Sequence, residues 1–142
     1  MATRSRLKMP PCVKTAREHI ASPVVNSDDV KKMLAANMSE AELLELVRET
    51  AYRFNWLFHH NYDSRRSAGN GFPDLFLVRK AAMVGHPSEV LIIELKTAIG
   101  RTSRHQDAWL DHFRAAGIEV ATWRPADWLS GAIVARLARR EG

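Results

Sequence analysis

Two apolar runs separated by one short loop constrain this chain more than any other feature. "GFPDLFLVR" begins at Gly71, "VLIIELK" ends at Lys96, and "AAMVGHPSE" between them carries Gly85 and Pro87, which read as a loop joining two strands. Successive side chains of a strand point to opposite faces, so Glu94 and Lys96 share a face while Leu95 points away. Asp74 opens the first strand and Glu94 closes the second. Sequence adjacency alone does not pair them, but strand start and strand end lie on the same edge of the sheet, where the two carboxylates and the Lys96 ammonium can converge.

Converging carboxylates repel each other unless a positive charge lies between them, and hard cations such as Mg²⁺ or Mn²⁺ prefer oxygen ligands of this kind. A lone Cys12 and the lack of regular His spacing argue against structural zinc. Two carboxylates and a lysine are the residue types that metal-dependent phosphodiester cleavage uses. Taken alone, the same residues also fit a turn acid and a solvated Glu–Lys pair.

Upstream, "SDDVKKMLAAN" reads as a short helix capped by Ser27. A second helix starts after Ser39, with Glu42 at the capping-box spacing. Leu43, Leu46, Val47, Thr50, Ala51 and Phe54 mark its buried face. Glu40 stands on that inward side, either as an acid complementing the helix dipole or as a ligand aimed at a nearby metal. Glu42 is the reserve for that second role. "WLFHH" then reads as a strand, and "NYDSRRSAGNG" as a long loop whose Arg65 and Arg66 are either phosphate contacts or solvated turn residues.

Ser103 caps a helix running to Ala116, with Gly117 as its C-cap. Gln106 and Trp109 fall on one side of it, and the spacing assigns Trp109 to the core. Arg101 and Arg104 flank the preceding turn and would face a substrate backbone if the helix terminus does. "IEVATW" is the last strand, and "DWLSGAIVARLARR" an amphipathic closing helix capped by Asp127, its trailing Arg136, Arg139 and Arg140 suiting the negative end of the dipole. The predicted architecture is α/β, of order αβββαβ, with a mixed central sheet flanked by helices.

Pro73, Asp74, Glu94, Leu95 and Lys96 together resemble the signature of the virus-type replication-repair nuclease (VRR-NUC) family within the PD-(D/E)XK nuclease superfamily. The likeness takes in "SEAELLELVRETAYRFNW" upstream and "GRTSRHQDAWLDHFRAAGIEVATWRPADW" downstream, about the last three quarters of the chain. Leu44, where many relatives carry Gln, and Asn55, where they often have Gly, depart from the pattern without touching the candidate ligands.

The resemblance implies the superfamily's restriction-endonuclease-like core and hydrolysis of DNA phosphodiesters. It implies one or two Mg²⁺ ions, replaceable by Mn²⁺, held by Asp74, Glu94 and the backbone carbonyl of Leu95 and supplemented by Glu40. Lys96 would position the attacking water or stabilise charge on the phosphate, and Gln106 would orient a ligand or the phosphate. His60 matches a histidine frequent in relatives and is a candidate DNA contact, whereas His59, His86 and His112 receive no role. Branched DNA, as in a Holliday junction or flap, is the substrate it suggests, with a homodimer able to address two strands. A DNA-binding module that keeps the fold without cleaving is the alternative reading.

A chain of 142 residues with 46% hydrophobic and 26% charged content is expected to form one domain around a modest core. No apolar run approaches a membrane span and the basic N-terminus lacks a signal-peptide apolar region, so a cytoplasmic location is expected. Of the net charge of +5, residues 1–37 carry most, with seven Lys or Arg against three acids, while residues 38–142 hold fourteen against thirteen. We read 1–37 as a basic extension that either attracts a polyanion or keeps a tail soluble, and 38–142 as the nuclease-like domain.

Overall fold

The structure, a computed structural model, describes residues 25–62 and 70–139. Arg65, Arg66, Arg140 and the basic run before residue 25 lie outside the described residues.

The chain opens with helix α1 (Ser27–Asn37). Its cap is Asn26 rather than Ser27, because the Asn26 side chain already accepts from the Asp28 N–H at 3.2 Å. Helix α2 (Glu40–Arg53) starts with the expected capping box: the Glu42 N–H donates to Ser39 Oγ at 3.2 Å and the Ser39 N–H donates to Glu42 Oε2 at 2.8 Å. These bonds hold the Glu42 carboxyl below its ordinary range. They engage Oε2 of Glu42 in the cap of its own helix.

Asn55 ends α2 in a left-handed conformation, φ 63°, which asparagine tolerates where other side chains do not. Trp56, expected to begin the next strand, instead drops into the core and donates from Nε1 to the Leu137 carbonyl at 2.9 Å. Strand β1 (Leu57–His60) follows, then β2 (Leu75–Arg79) and β3 (Glu89–Leu95), helix α3 (Arg104–Ala115) and strand β4 (Glu119–Trp123). The sheet order is β1-β2-β3-β4. The first three strands are antiparallel and β4 lies parallel to β3. The sheet is therefore mixed, as the predicted αβββαβ order requires.

One face of the sheet carries Leu75, Leu77, Leu91, Ile93, Leu95 and Trp123 against Leu43, Val47 and Ala51 of α2. Burying each such Leu or Ile contributes about 1.5–3 kcal/mol. The alternate residues Ile92 and Glu94 point to the opposite face, which α3 reaches from its packing on β4. Strand β3, flanked by β2 and β4 and covered on both sides, is buried from Leu91 to Leu95. This is why a glutamate near its end is fully enclosed.

The expected single closing helix is two short ones, α4 (Pro125–Leu129) and α5 (Ala132–Ala138). Gly131, at φ +82°, turns the chain between them. Asp127 sits inside α4 rather than capping a longer helix, and accepts from the Arg124 N–H at 2.8 Å. Arg136 stands in the last turn of α5, as expected, and also makes ion pairs with Glu119 and Glu89. α1 packs against α4, which ties part of the basic extension to the domain. Among the described residues no helix is long and apolar enough to cross a membrane.

Candidate active site

The β2–β3 register explains how Asp74 finds Glu94. Leu75 pairs with Ile93 and Phe76 with Ile92, so one step beyond the ladder Asp74 lies opposite Glu94. Both then fall on the Phe76–Ile92 face. Asp74 Oδ2 accepts from the Leu95 N–H at 2.8 Å, which locks the carboxylate onto the end of β3. The Leu95 main chain thus lies between the two carboxylates while its side chain is buried in the core.

Lys96 Nζ donates to Glu94 Oε1 at 2.5 Å, as the shared strand face predicts. Gln106 Nε2 donates to the same oxygen. Gln106 reaches it because its Oε1 is fixed by the Ser103 N–H at 2.8 Å and its own N–H donates to Ser103 Oγ at 3.2 Å, a capping box at the start of α3. One residue therefore both caps its helix and orients the carboxylate. The Ser-x-x-Gln spacing carries the signal for the full box, beyond the Ser103 cap expected from it.

With two donors on Oε1, Glu94 Oε2 is left buried without a hydrogen-bond partner among the described residues. Burial pushes the Glu94 carboxyl up to about 7, the Lys96 bond pulling against it and the nearby Asp74 charge adding to the rise. Asp74 is raised too, chiefly by burial, with the Leu95 N–H and Lys96 opposing and Glu40 adding. Buried carboxylates that repel and retain an unsatisfied oxygen fit a bound divalent cation. Among the described residues no three His, Cys, Asp or Glu side chains form a ready-made metal cage. The carboxylates that stand close enough to share a cation are Asp74 and Glu94.

Glu40 is exposed at the start of α2, and its Oε1 accepts from the Thr97 N–H at 3.2 Å. It sits at the margin of the site and tethers the exit of β3. Arg124 Nη1 also holds that exit, donating to the Thr97 carbonyl at 2.7 Å, a contact that no sequence motif announces.

A polar cleft of about 620 Å³ adjoins the carboxylates, lined by Lys96, Arg101, Gln106, Asn70, Gly71 and His105, among others. Arg101 is thus a cationic side chain of this cleft. Arg104 is exposed one turn on and does not line the cleft. His60 ends β1, half-buried, its ring edge-on to Tyr62 at 4.3 Å. Burial lowers its pKa and the Asp74 charge opposes the shift, so His60 stands near Asp74 rather than in the cleft. A larger apolar hollow of about 700 Å³ between α1 and α2 contains none of these residues.

No motif in the sequence marks Gly71 as a residue of the site. Its φ is +84°, and a Cβ there would lie 2.6 Å from His105 Cβ and 2.8 Å from the Gln106 nitrogen. The bare backbone lets the loop before β2 touch the first turn of α3.

The model of the VRR-NUC domain family matches residues 14–126, a span that begins within the basic extension. No curated protein and no solved structure matches the chain. The family match covers most of the chain, includes the three elements, β2, β3 and α3, that bring Asp74, Glu94, Lys96 and Gln106 together, and agrees with the mixed sheet and its flanking helices. The chain belongs to the VRR-NUC family and is a nuclease domain that acts on DNA.

Proposed function

We propose that this chain is a metal-dependent endonuclease that hydrolyses DNA phosphodiesters at branched structures such as junctions or flaps. The observation that carries the reading is the buried, unpartnered Glu94 Oε2 beside Asp74, with Glu94 Oε1 already held by Lys96 and Gln106. Asp74, Glu94 and the Leu95 carbonyl would hold Mg²⁺ or Mn²⁺, with Glu40 at the margin. When bound, such a cation lowers the pKa of a water ligand so that hydroxide is available near neutral pH.

The chain's own residues do the rest. Gln106 keeps the Glu94 carboxylate in one orientation, so that Oε2 and not Oε1 faces the ligand position. Lys96 supplies positive charge where negative charge builds on the phosphate. Arg101 lies in the cleft that the strand backbone would follow, where a guanidinium pairs with phosphate oxygens. Two copies of the chain would address the two strands of a junction, and molecular size measured at several concentrations tests that dimer. A strict monomer that still cuts would remove the junction-resolving version.

The deciding experiment compares a labelled four-way junction, a flap, linear duplex and single-stranded DNA. Wild type and Glu94→Ala are each assayed with Mg²⁺, Mn²⁺ or EDTA. Cutting of branched DNA that needs both metal and Glu94 is the expected result. Tight binding with no cutting under any condition would overturn it in favour of a non-catalytic DNA-binding module.

A further inference from the structure

A second hollow, of about 260 Å³, opens beside the catalytic cleft and is lined by Asn70, His105, Ala108, Trp109 and His112. Asn70 and His105 line the cleft as well, so the two spaces adjoin. The four α3 residues follow at i, i+3, i+4 and i+7, the spacing of one helix face. Their chemistry differs from that of the cleft. Lys96 and Arg101 on one side suit phosphate, whereas an indole and two imidazoles around the small Ala108 suit a flat aromatic ring.

The indole is held rather than loose. Trp109 Nε1 donates to the Asn70 carbonyl at 3.2 Å. Its ring stacks on Phe113 with centroids 5.8 Å apart and meets Phe72 edge-on at 5.1 Å. Gly71 allows the Asn70 loop to come this close to α3. A rigid aromatic surface loses little side-chain freedom on binding. Core packing accounts for the Phe72 and Phe113 contacts but not for the hollow, where the half-buried Trp109 is flanked by the exposed His105 and His112.

We propose that this hollow is a subsite for one unpaired nucleobase of the strand whose phosphates lie in the Lys96–Arg101–Gln106 cleft. A base within a duplex has both faces covered by its neighbours, whereas an unpaired base can lay its π-face on an aromatic side chain. The inference rests on the nuclease reading of the cleft and sharpens it: the substrate presents at least one unpaired nucleotide next to the phosphate that is cut. His112, given no role from the sequence, becomes part of the recognition surface.

The test reads binding of the full chain in EDTA, by fluorescence anisotropy of a labelled flap DNA. A single abasic site is placed in turn at each unpaired position near the branch. In wild type one position is expected to weaken binding by about 5- to 150-fold, the worth of one stacked base. His105→Ala and His112→Ala, at exposed positions, should each shrink that penalty, and Trp109→Phe should retain much of it. Equal binding of every abasic probe and the intact flap would overturn the subsite, whatever the variants do. Metal-dependent cutting without any abasic penalty removes the subsite and leaves the nuclease reading standing. A position-specific penalty without any cutting does the reverse.

Discussion

Lys96 Nζ and Glu94 Oε1 stand 2.5 Å apart, two residues along the same face at the end of β3, with the carboxylate fully buried. The pair is a consequence of strand periodicity placed where the sheet meets a cleft. Removing either member leaves the other charge enclosed and badly compensated.

Asp74→Ala, Glu94→Ala and Lys96→Ala are each expected to lower the cleavage rate by about 10²-fold or more, since each deletes a group that acts on the reacting phosphate or its metal. The folded sheet should survive, because none of the three belongs to the apolar core cluster, but Glu94→Ala and Lys96→Ala should lower its stability by leaving a buried partner uncompensated. Single-turnover cleavage alongside circular dichroism checks this, and losses of only a few fold would argue against the assignment.

Glu94 predicts a pH dependence of stability. Its folded pKa, about 7, lies above the ordinary carboxyl value of 4.5, so the native state binds the extra proton between these limits. In EDTA this group makes the protein less stable as pH rises from about 4.5 to 7, by about 3 kcal/mol at most. Mg²⁺ or Mn²⁺ should restore melting temperature above pH 7. Glu94→Gln should flatten the pH trend and abolish the metal response. Thermal melts from pH 5 to 8 with and without metal decide it, and a metal response unchanged in Glu94→Gln would place the cation elsewhere.

Gly71→Ala should be costly although alanine is small. The added Cβ meets the His105 side chain and backbone and the Gln106 nitrogen, all below 3.0 Å, at a φ that L-residues rarely adopt. A destabilisation of about 1–3 kcal/mol is expected. Pushing the first turn of α3 away also moves Gln106 off Glu94, so the activity of the protein that remains folded should fall too. Melting curves paired with specific activity separate the two effects.

Arg79 offers the contrasting case of a buried charge with a structural task. It donates to Glu89 Oε2 at 2.7 Å and to the carbonyls of Leu137 and Arg139, and its guanidinium lies 4.2 Å from the centre of the Trp56 ring. Arg79→Met would leave these acceptors buried without it. A loss of about 3 kcal/mol is expected, since Arg136 still reaches Glu89 at 3.6 Å. Denaturant unfolding should show this loss while cleavage per folded molecule stays at the wild-type level.

Much of the site is legible in the amino-acid sequence. Alternation places Glu94 and Lys96 on one face, Ser39 and Ser103 announce their helices, and Gly117 ends α3 as expected with φ +78°. The family signature supplies Asp74 as partner. The departures from expectation are local: Asn26 displaces Ser27 as a cap, Trp56 leaves the strand for the core, and a left-handed glycine splits the last helix. In each case neighbouring residues could meet one local requirement in two ways, and packing chose between them.

The amino-acid order by itself determined which side chains share a face, because strand and helix periods are properties of the backbone. Tertiary structure alone decided that Asp74 stands opposite Glu94, that Gln106 adds a second donor to the Glu94 carboxylate, and that Gly71 lets the Asn70 loop close against α3. Those relations cross from one element to another, and they exist only once sheet register and helix packing bring residues far apart in the chain within a hydrogen bond of each other.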